Sequence, residues 1–226
     1  MSVEIGTRRV AGQHVRARAQ SLAVREVWIG VGAVAVLVIG VILALPGSLL
    51  IAAELAAIAA FLVLAPQVDR DHGRWLRGAE GEEAVGGILE SLSADGWHVI
   101  HDVSFGRGNI DHVVVGPGGV FAVETKSHAG RISLERLDPK MLSQAYAEKK
   151  ALEERLGVAV EPLLVFSRAY LIERPSAKRQ GVTVMTARGL PHYFSRRRPT
   201  MSEDEARRVY ERLALAAGQA AVPAPA

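Results

Sequence analysis

Two carboxylates and a lysine lie at short spacing in the centre of the chain. Residues 109–126 read N-I-D-H-V-V-V-G-P-G-G-V-F-A-V-E-T-K, with Asp111 before the glycine-rich stretch and Glu124 and Lys126 after it. The apolar, β-branched runs on either side of Gly-Pro-Gly-Gly predict a β-hairpin. Because side chains alternate along a strand, Lys126 should project from the same face as Glu124.

The turn chemistry predicts the register of this hairpin. Pro117 cannot adopt a positive φ, which argues against a primed two-residue turn and favours a four-residue loop over 116–119. Such a loop pairs Val115 with Val120. Continuing the pairing places the two carboxylates opposite each other.

Opposed carboxylates in this setting need a physical reason. Both strands are apolar on both faces, which is typical of strands covered on both sides. Like charges opposed in such a sheet are costly unless a cation joins them. One or two carboxylates with water and phosphate oxygens are the usual ligands of Mg²⁺. The alternative is that Asp111 and Glu124 sit at strand ends and pair with Arg107 or Lys126.

Three motifs resemble a known family. The spacing D-x12-E-T-K resembles the D…(D/E)-x-K signature of restriction-endonuclease-like nucleases, although E-x-K alone is common. Together with G-A-E-G-E-E-A-V at 78–85 and Gly-Arg-Ile at 130–132, it resembles the nuclease-related domain (NERD) family. The resemblance covers about residues 76–190. Ser127 follows the lysine where such domains often carry Asn, which affects a secondary polar contact.

This resemblance implies a fold and a reaction. The fold would be α/β, a restriction-endonuclease-like central mixed sheet flanked by helices. The reaction would be metal-dependent hydrolysis of phosphodiester bonds, in DNA more than in RNA, with Mg²⁺ or Mn²⁺ as cofactor. The metal ligands would be Asp111, Glu124 and the backbone carbonyl of Thr125. The catalytic set would be Glu82, Asp111, Glu124, Lys126 and Gln144, with Lys126 either orienting the attacking water or stabilising developing charge.

Glu82 and Gln144 fall on two predicted helices. Val85 and Leu89 follow Glu82 at helical spacing, so Glu82 lies on the inward stripe of a helix over 80–93. Alternatively, the only role of Glu82 is to place a negative charge near the positive end of the helix dipole at the helix N-terminus. Gln144 lies near the start of a second helix, which runs from Asp138-Pro139 to about residue 156, where a solvent-exposed position is the alternative.

Composition excludes some chemistry. The 226 residues include no cysteine, which excludes disulfides, a thiolate nucleophile and a zinc–cysteine site. The formal net charge is +3, and a basic N-terminal arm over 1–26 carries five arginines against two glutamates. From residue 66 onward acidic and basic side chains nearly balance, so the remainder is not a generic polycation.

The N-terminal quarter predicts a membrane hairpin. Residues 27–45 contain no charge, residues 49–65 contain only Glu54, and Pro-Gly-Ser separates the two runs. A membrane-spanning helix needs about 20 apolar residues. We therefore expect a transmembrane helical hairpin over 27–65 in the lipid bilayer, with both termini and the soluble domain cytoplasmic because arginines flank it. A buried soluble hairpin is the alternative.

Small residues repeat in the second run. Ala52, Ala56 and Ala60 recur every fourth position, a spacing that lets helices pack closely. This pattern predicts packing within the hairpin or a homo-oligomer. Glu54 is interpreted as reaching the near interface or facing the partner helix.

The remaining boundaries follow from composition and capping signals. Ser202 and Glu205 form a predicted capping box for a last helix. We predict strands over 97–103, 162–167 and 181–186. The predicted segments are a linker over 66–76, a nuclease-related α/β domain over 77–200, a C-terminal helix over 201–218 and a disordered tail over 219–226.

The ligand of one basic run is open, and two other classes of function are also compatible with the sequence. Arg196, Arg197 and Arg198 are predicted to bind nucleic-acid phosphates, with a solvated loop or anionic lipid as the alternative. A non-cleaving, membrane-tethered binding or sensing module would keep the fold without the activity. A membrane scaffold would function after mutation of the carboxylates and lysine.

Overall fold

The computed structural model describes residues 10–42, 47–105, 108–172 and 176–218. The chain forms two compact units. One contains His14–Arg77. The other contains Met1–Gln13 and Gly78–Ala226 and includes every strand.

Two long helices account for the N-terminal quarter: α1 (Gln13–Ile42) and α2 (Gly47–Glu90). Among the residues described there, no helix is long and apolar enough to cross a membrane, so the structure does not support the predicted transmembrane hairpin. The side chains of Glu54 and Ala60 lie outside the described residues, as do residues 1–9 of the basic arm and Pro46. The predicted linker, 66–76, is part of α2.

The second unit is built on one six-stranded sheet. Its strands are β1 (His98–Ser104), β2 (Asn109–Gly116), β3 (Gly119–Ile132), β4 (Val160–Leu171), β5 (Ser176–Arg179) and β6 (Val182–Thr186). The strand order is β1-β2-β3-β4-β6-β5. The β3–β4 and β4–β6 pairs are parallel and the others antiparallel, which confirms the predicted mixed sheet.

Three helices of this unit follow the strands: α3 (Pro139–Leu156), α4 (Leu190–Ser195) and α5 (Glu203–Ala216). Single-turn 3₁₀ helices lie at Ser91–Asp95, Leu134–Arg136 and Ala187–Gly189. Helix α3 has the predicted bounds because the Asp138 side chain caps its first turn, accepting from the amide of Lys140. The predicted capping box of Ser202 with Glu205 begins α5. The short elements β5 and α4 were not predicted.

The β2–β3 hairpin has the predicted register. Val115 pairs with Val120 as predicted, but the predicted four-residue loop over 116–119 is wrong, because Gly116 pairs with Gly119 and only Pro117 and Gly118 form the turn. The turn is not of the primed type, since neither Pro117 nor Gly118 has a positive φ, whereas Gly119 has a φ of 122°. A Cβ at Gly118 would lie 2.9 Å from the Trp97 ring, so the turn needs glycine for this packing. The ladder ends at the pair formed by residues 112 and 123, and beyond it the Thr125 amide donates a hydrogen bond to the Asp111 side chain, which holds Asp111 beside β3.

Helices cover both faces of the sheet, as the doubly apolar strands predict. On one face Val85 and Leu89 of α2 pack with Phe121 and Val123 of β3. On the other face α3 and α5 pack against the alternate residues of β2 and β3. The carboxylates of the hairpin therefore lie in a largely dehydrated interior.

Candidate active site

Four elements bring the predicted catalytic side chains together. Strand β2 supplies Asp111, β3 supplies Glu124 and Lys126, α3 supplies Gln144, and α2 supplies Glu82. Direct hydrogen bonds join three of them, and electrostatic coupling links the others to this group. We call these five residues with Glu148 the carboxylate cluster.

Lys126 is the centre of the hydrogen-bond network. Its Nζ donates to Oε1 of Glu124 and, at 3.1 Å, to Oε1 of Gln144. Burial lowers the pKa of Lys126, but the attraction of Glu124, Asp111 and Glu148 outweighs burial and the net shift is upward. Lys126 is therefore a cation held in place among carboxylates.

Asp111 is anchored through the backbone of the neighbouring strand. Its Oδ2 accepts a hydrogen bond of 2.7 Å from the amide of Thr125. Burial raises the pKa of Asp111 well above its ordinary value, and the nearby Glu124 and Glu82 add to the rise. The hydrogen bond fixes the side chain, while its surroundings disfavour its negative charge.

Glu82 reaches the cluster because α2 approaches the sheet closely. A Cβ at Gly81 would lie 2.7 Å from Oγ of Ser167 and 3.0 Å from Cβ of Ser127, so only glycine permits this approach. Glu82 is 8% exposed. Burial, with the charges of Asp102 and Glu124, raises the pKa of Glu82 to about 8.

Glu148 is a member of the cluster that sequence reasoning missed. It is 9% exposed, and its Oε1 accepts a hydrogen bond of 3.1 Å from Nε2 of Gln144. Burial and the adjacent Glu124 raise the pKa of Glu148 to about 9. Its position four residues after Gln144, on the same face of α3, was the available signal.

Two buried carboxylate oxygens bear on whether the cluster could hold a hard divalent cation. Glu124 is 3% exposed, and Oε2 of Glu124 and of Glu148 are buried without a hydrogen-bond partner among the described residues. Buried polar atoms normally have partners, and a hydrogen bond between Glu148 and Glu124, which contributes to the raised pKa of Glu148, pairs the two side chains when Glu148 is protonated. A bound cation would replace that proton. In the described parts of the chain, no three His, Cys, Asp or Glu side chains converge as a complete metal site. Mg²⁺ does not need three, because water and substrate phosphates complete its shell.

The three arginines of the predicted nucleic-acid-binding run have different surroundings in the structure. Arg197 forms an ion pair with Glu161, and its guanidinium lies 5.0 Å from the ring centroid of Phe121 and 5.2 Å from that of Tyr193. These contacts give Arg197 a structural role beside the hairpin turn. Arg196 and Arg198 are more exposed.

A buried histidine pair lies on β1 and β2 next to the cluster. Nδ1 of His101 is 2.8 Å from Nδ1 of His112, and Nε2 of His101 is 3.0 Å from Oε1 of Glu90 on α2. Burial lowers the pKa of His112 well below its ordinary value. The pair links α2 to the sheet, and His112 points away from Asp111, as the strand alternation predicts.

The fold and the cluster define an α/β domain with a lysine–carboxylate site, and part of this domain is similar to known proteins. Residues 77–167 match the family of nuclease-related domains (NERD), which supports a nuclease-related domain in this part of the chain. An uncharacterized protein of Bacillus anthracis is 36% identical over 84 residues. This match covers 35% of the present chain and 39% of the relative. No solved structure gives a significant match.

Proposed function

We propose that the domain is a metal-dependent nuclease that hydrolyses phosphodiester bonds, in DNA more than in RNA, with the carboxylate cluster as its active site. The observation that supports this proposal is the gathering of Asp111, Glu82 and Lys126 around the buried Glu124. Burial and mutual repulsion raise the pKa values of Glu82, Asp111 and Glu148, so these groups can be ionised together with Glu124 only at a cost that a bound cation would offset.

The residues of the cluster have different roles in the proposed reaction. Asp111, Glu124 and the Thr125 carbonyl would hold Mg²⁺ or Mn²⁺. When bound, the metal lowers the pKa of a water molecule and neutralises charge on the phosphate. Lys126 is positioned to stabilise the negative charge that develops on the phosphate oxygens. Gln144 holds the ammonium group in this orientation, since it bridges Nζ of Lys126 and Glu148.

Cleavage assays test this proposal directly. The full chain should cleave labelled single- or double-stranded DNA with Mg²⁺ or Mn²⁺ and should be inactive with EDTA. Lys126→Ala and Glu124→Gln should abolish cleavage, whereas Lys149→Ala, on the same helix as Gln144 but paired with Glu153, should leave it intact. Equal cleavage by wild type and the Glu124→Gln variant would overturn the assignment.

A non-cleaving module that binds or senses nucleic acid is the second candidate. The retained nuclease-related fold without metal-dependent activity would favour it. Binding of the same oligonucleotides by wild type, with no cleavage in any metal, would identify this function.

Arg196 and Arg198 are proposed to contact nucleic-acid phosphates. Their exposure supports this role, whereas Arg197 is engaged with Glu161. Replacing Arg196 and Arg198 by Gln should flatten the salt dependence of duplex DNA binding by up to roughly 0.9 slope units per lost contact. An unchanged slope would assign the two side chains to solvent or to lipid.

Membrane attachment is a proposal that rests on the sequence alone. The uncharged run over 27–45 and the run over 49–65 support a bilayer anchor with a cytoplasmic nuclease domain, and the alanine repeat supports self-association. Fractionation of cells that express the full chain should find it in the membrane pellet, resistant to high salt. Release by salt would refute the anchor.

A further inference from the structure

Strands β3 and β4 continue past their neighbours as a two-stranded extension. Strand β3 pairs with β2 only as far as Val123, and β4 pairs with β6 only from Leu163 to Phe166. After an irregularity that follows Lys126, the two strands remain paired over 129–132 and 168–171. We call this segment the β3–β4 extension. It begins where the carboxylate cluster ends.

One side of the extension is basic and aromatic. Arg168 and Tyr170 flank the buried Ala169, so both point to the exposed side of β4. Arg131 of β3 is the register partner of Tyr170 and is also exposed. Arg188 places its guanidinium 5.2 Å from the centroid of the Tyr170 ring.

These groups are available to a ligand. Tyr170 remains 57% exposed despite the contact with Arg188. Among the described residues, none of Arg131, Arg168 and Arg188 forms an ion pair with a carboxylate, whereas Arg197 and Arg207 do. Three unneutralised guanidinium groups around an exposed aromatic ring suit a polyanion with planar groups.

We propose that the β3–β4 extension binds a single nucleic-acid strand, with a base stacked on Tyr170 and phosphates on Arg131, Arg168 and Arg188. Non-specific single-strand sites combine a positive track for the backbone with aromatic rings for the bases. A duplex offers its phosphates but keeps its bases stacked on each other, so Tyr170 favours an unpaired strand.

The spacing relates this surface to the proposed active site. Arg131 lies five residues beyond Lys126, about 16 Å along a strand at roughly 3.3 Å per residue. The inference rests on the proposed nuclease function only for the consequence that a strand held here would pass through the carboxylate cluster.

Binding without cleavage tests the surface separately from the activity. The anisotropy of fluorescein-labelled oligo-dT with the full chain in EDTA, from 50 to 200 mM salt, gives affinity and its salt dependence. Replacing Arg131, Arg168 and Arg188 by Gln should lower the slope of log K against log salt by about 2, since a single-strand contact is worth roughly 0.7. The charge-matched control, Gln at Arg207, Arg208 and Arg212 on α5, should keep the slope.

Variants of Tyr170 distinguish base stacking from simple charge attraction. Tyr170→Ala should weaken oligo-dT binding by roughly 5- to 150-fold, and Tyr170→Phe should retain it, because the ring supplies the stacking energy. An unchanged affinity for Tyr170→Ala, or equal slopes for the extension and α5 variants, would overturn the proposal. Oligo-dT binding that depends on Tyr170 would support it even if no metal produced cleavage.

Discussion

Asp111→Asn separates a metal-binding role of the hairpin carboxylates from a structural one. Asn is neutral and similar in shape, so its oxygen can still accept the hydrogen bond from the Thr125 amide, which is 2.7 Å in the wild type. The substitution replaces a carboxyl group whose pKa is raised well above its ordinary value by burial and by the nearby Glu124 and Glu82, so it removes a charge that the metal-free site already disfavours. If Asp111 and Glu124 are metal ligands, the variant should be stable without metal and insensitive to it.

The expected change without metal is small or favourable. Burial raises the pKa of Asp111 well above its ordinary value, and Glu124 and Glu82 add to the rise, so without metal the site already disfavours the charge that Asn lacks. The hydrogen bond from the Thr125 amide can be kept, and exchanging one neutral acceptor for another should change the free energy of unfolding by about 1 kcal/mol or less. The free energy of unfolding of Asp111→Asn in EDTA should therefore equal or exceed that of the wild type.

Added metal should distinguish the two proteins. A cation that binds only the folded state stabilises it by about 2.7 kcal/mol at 100 times its dissociation constant. For a chain of this length, that corresponds to about 5–11 °C in the melting temperature. Wild type should show this shift with Mg²⁺ and Asp111→Asn should not. An Asp111→Asn variant that melts well below wild type in EDTA, with no Mg²⁺ shift in wild type, would show that the carboxylates are structural.

Four further predictions concern other parts of the chain. Lys126→Ala should abolish cleavage but keep most of the Mg²⁺ melting shift, since an ammonium group is not a ligand; loss of the shift would contradict this. Glu148→Gln should fold normally in EDTA because a neutral side chain suits this buried position, and a large drop in melting temperature would refute that view. Arg197→Gln should lower stability by about 1–2 kcal/mol through the lost Glu161 pair and ring contacts without changing the salt slope of DNA binding. A reporter fused after Ala226 should be active only in a cytoplasmic format, and activity on the other side of a membrane would exclude the proposed topology.

Local chemistry made much of the domain predictable. The turn residues and the flanking valines predict the hairpin and its register, although the turn itself is two residues shorter than predicted. A hydrogen bond from the Thr125 amide then holds Asp111 beside β3. The bounds of α3 follow from a capping residue, Asp138, and from Gly157, which ends the helix in a left-handed conformation. In such cases the deciding interactions lie within a few residues in the sequence.

Contacts between distant residues were not predictable in the same way. From the sequence, Arg197 is predicted to be a surface charge that binds phosphates. Its ion-pair partner, Glu161, lies 36 residues away in the chain, so no local pattern indicates the pair. Strand β5 contains only Ser-Ala-Lys-Arg and has no alternating apolar pattern; pairing with β6 decides its conformation. Glu148 resembles any polar residue of an amphipathic helix, and its importance becomes visible only when α3 lies against β3.

Because Gly81 has no side chain, α2 can approach the sheet closely at this position. Any larger residue would meet Ser127 and Ser167 and would force α2 outward by a fraction of an ångström or more. Glu82 is the next residue, so the same displacement would withdraw its carboxylate from the cluster. Misplacement by about 1 Å can reduce a catalysed rate by roughly 100-fold. The position of the Glu82 carboxylate therefore depends on Gly81, which is not itself part of the proposed active site. Replacing Gly81 by Ala or by Ser would test this dependence with side chains of increasing size.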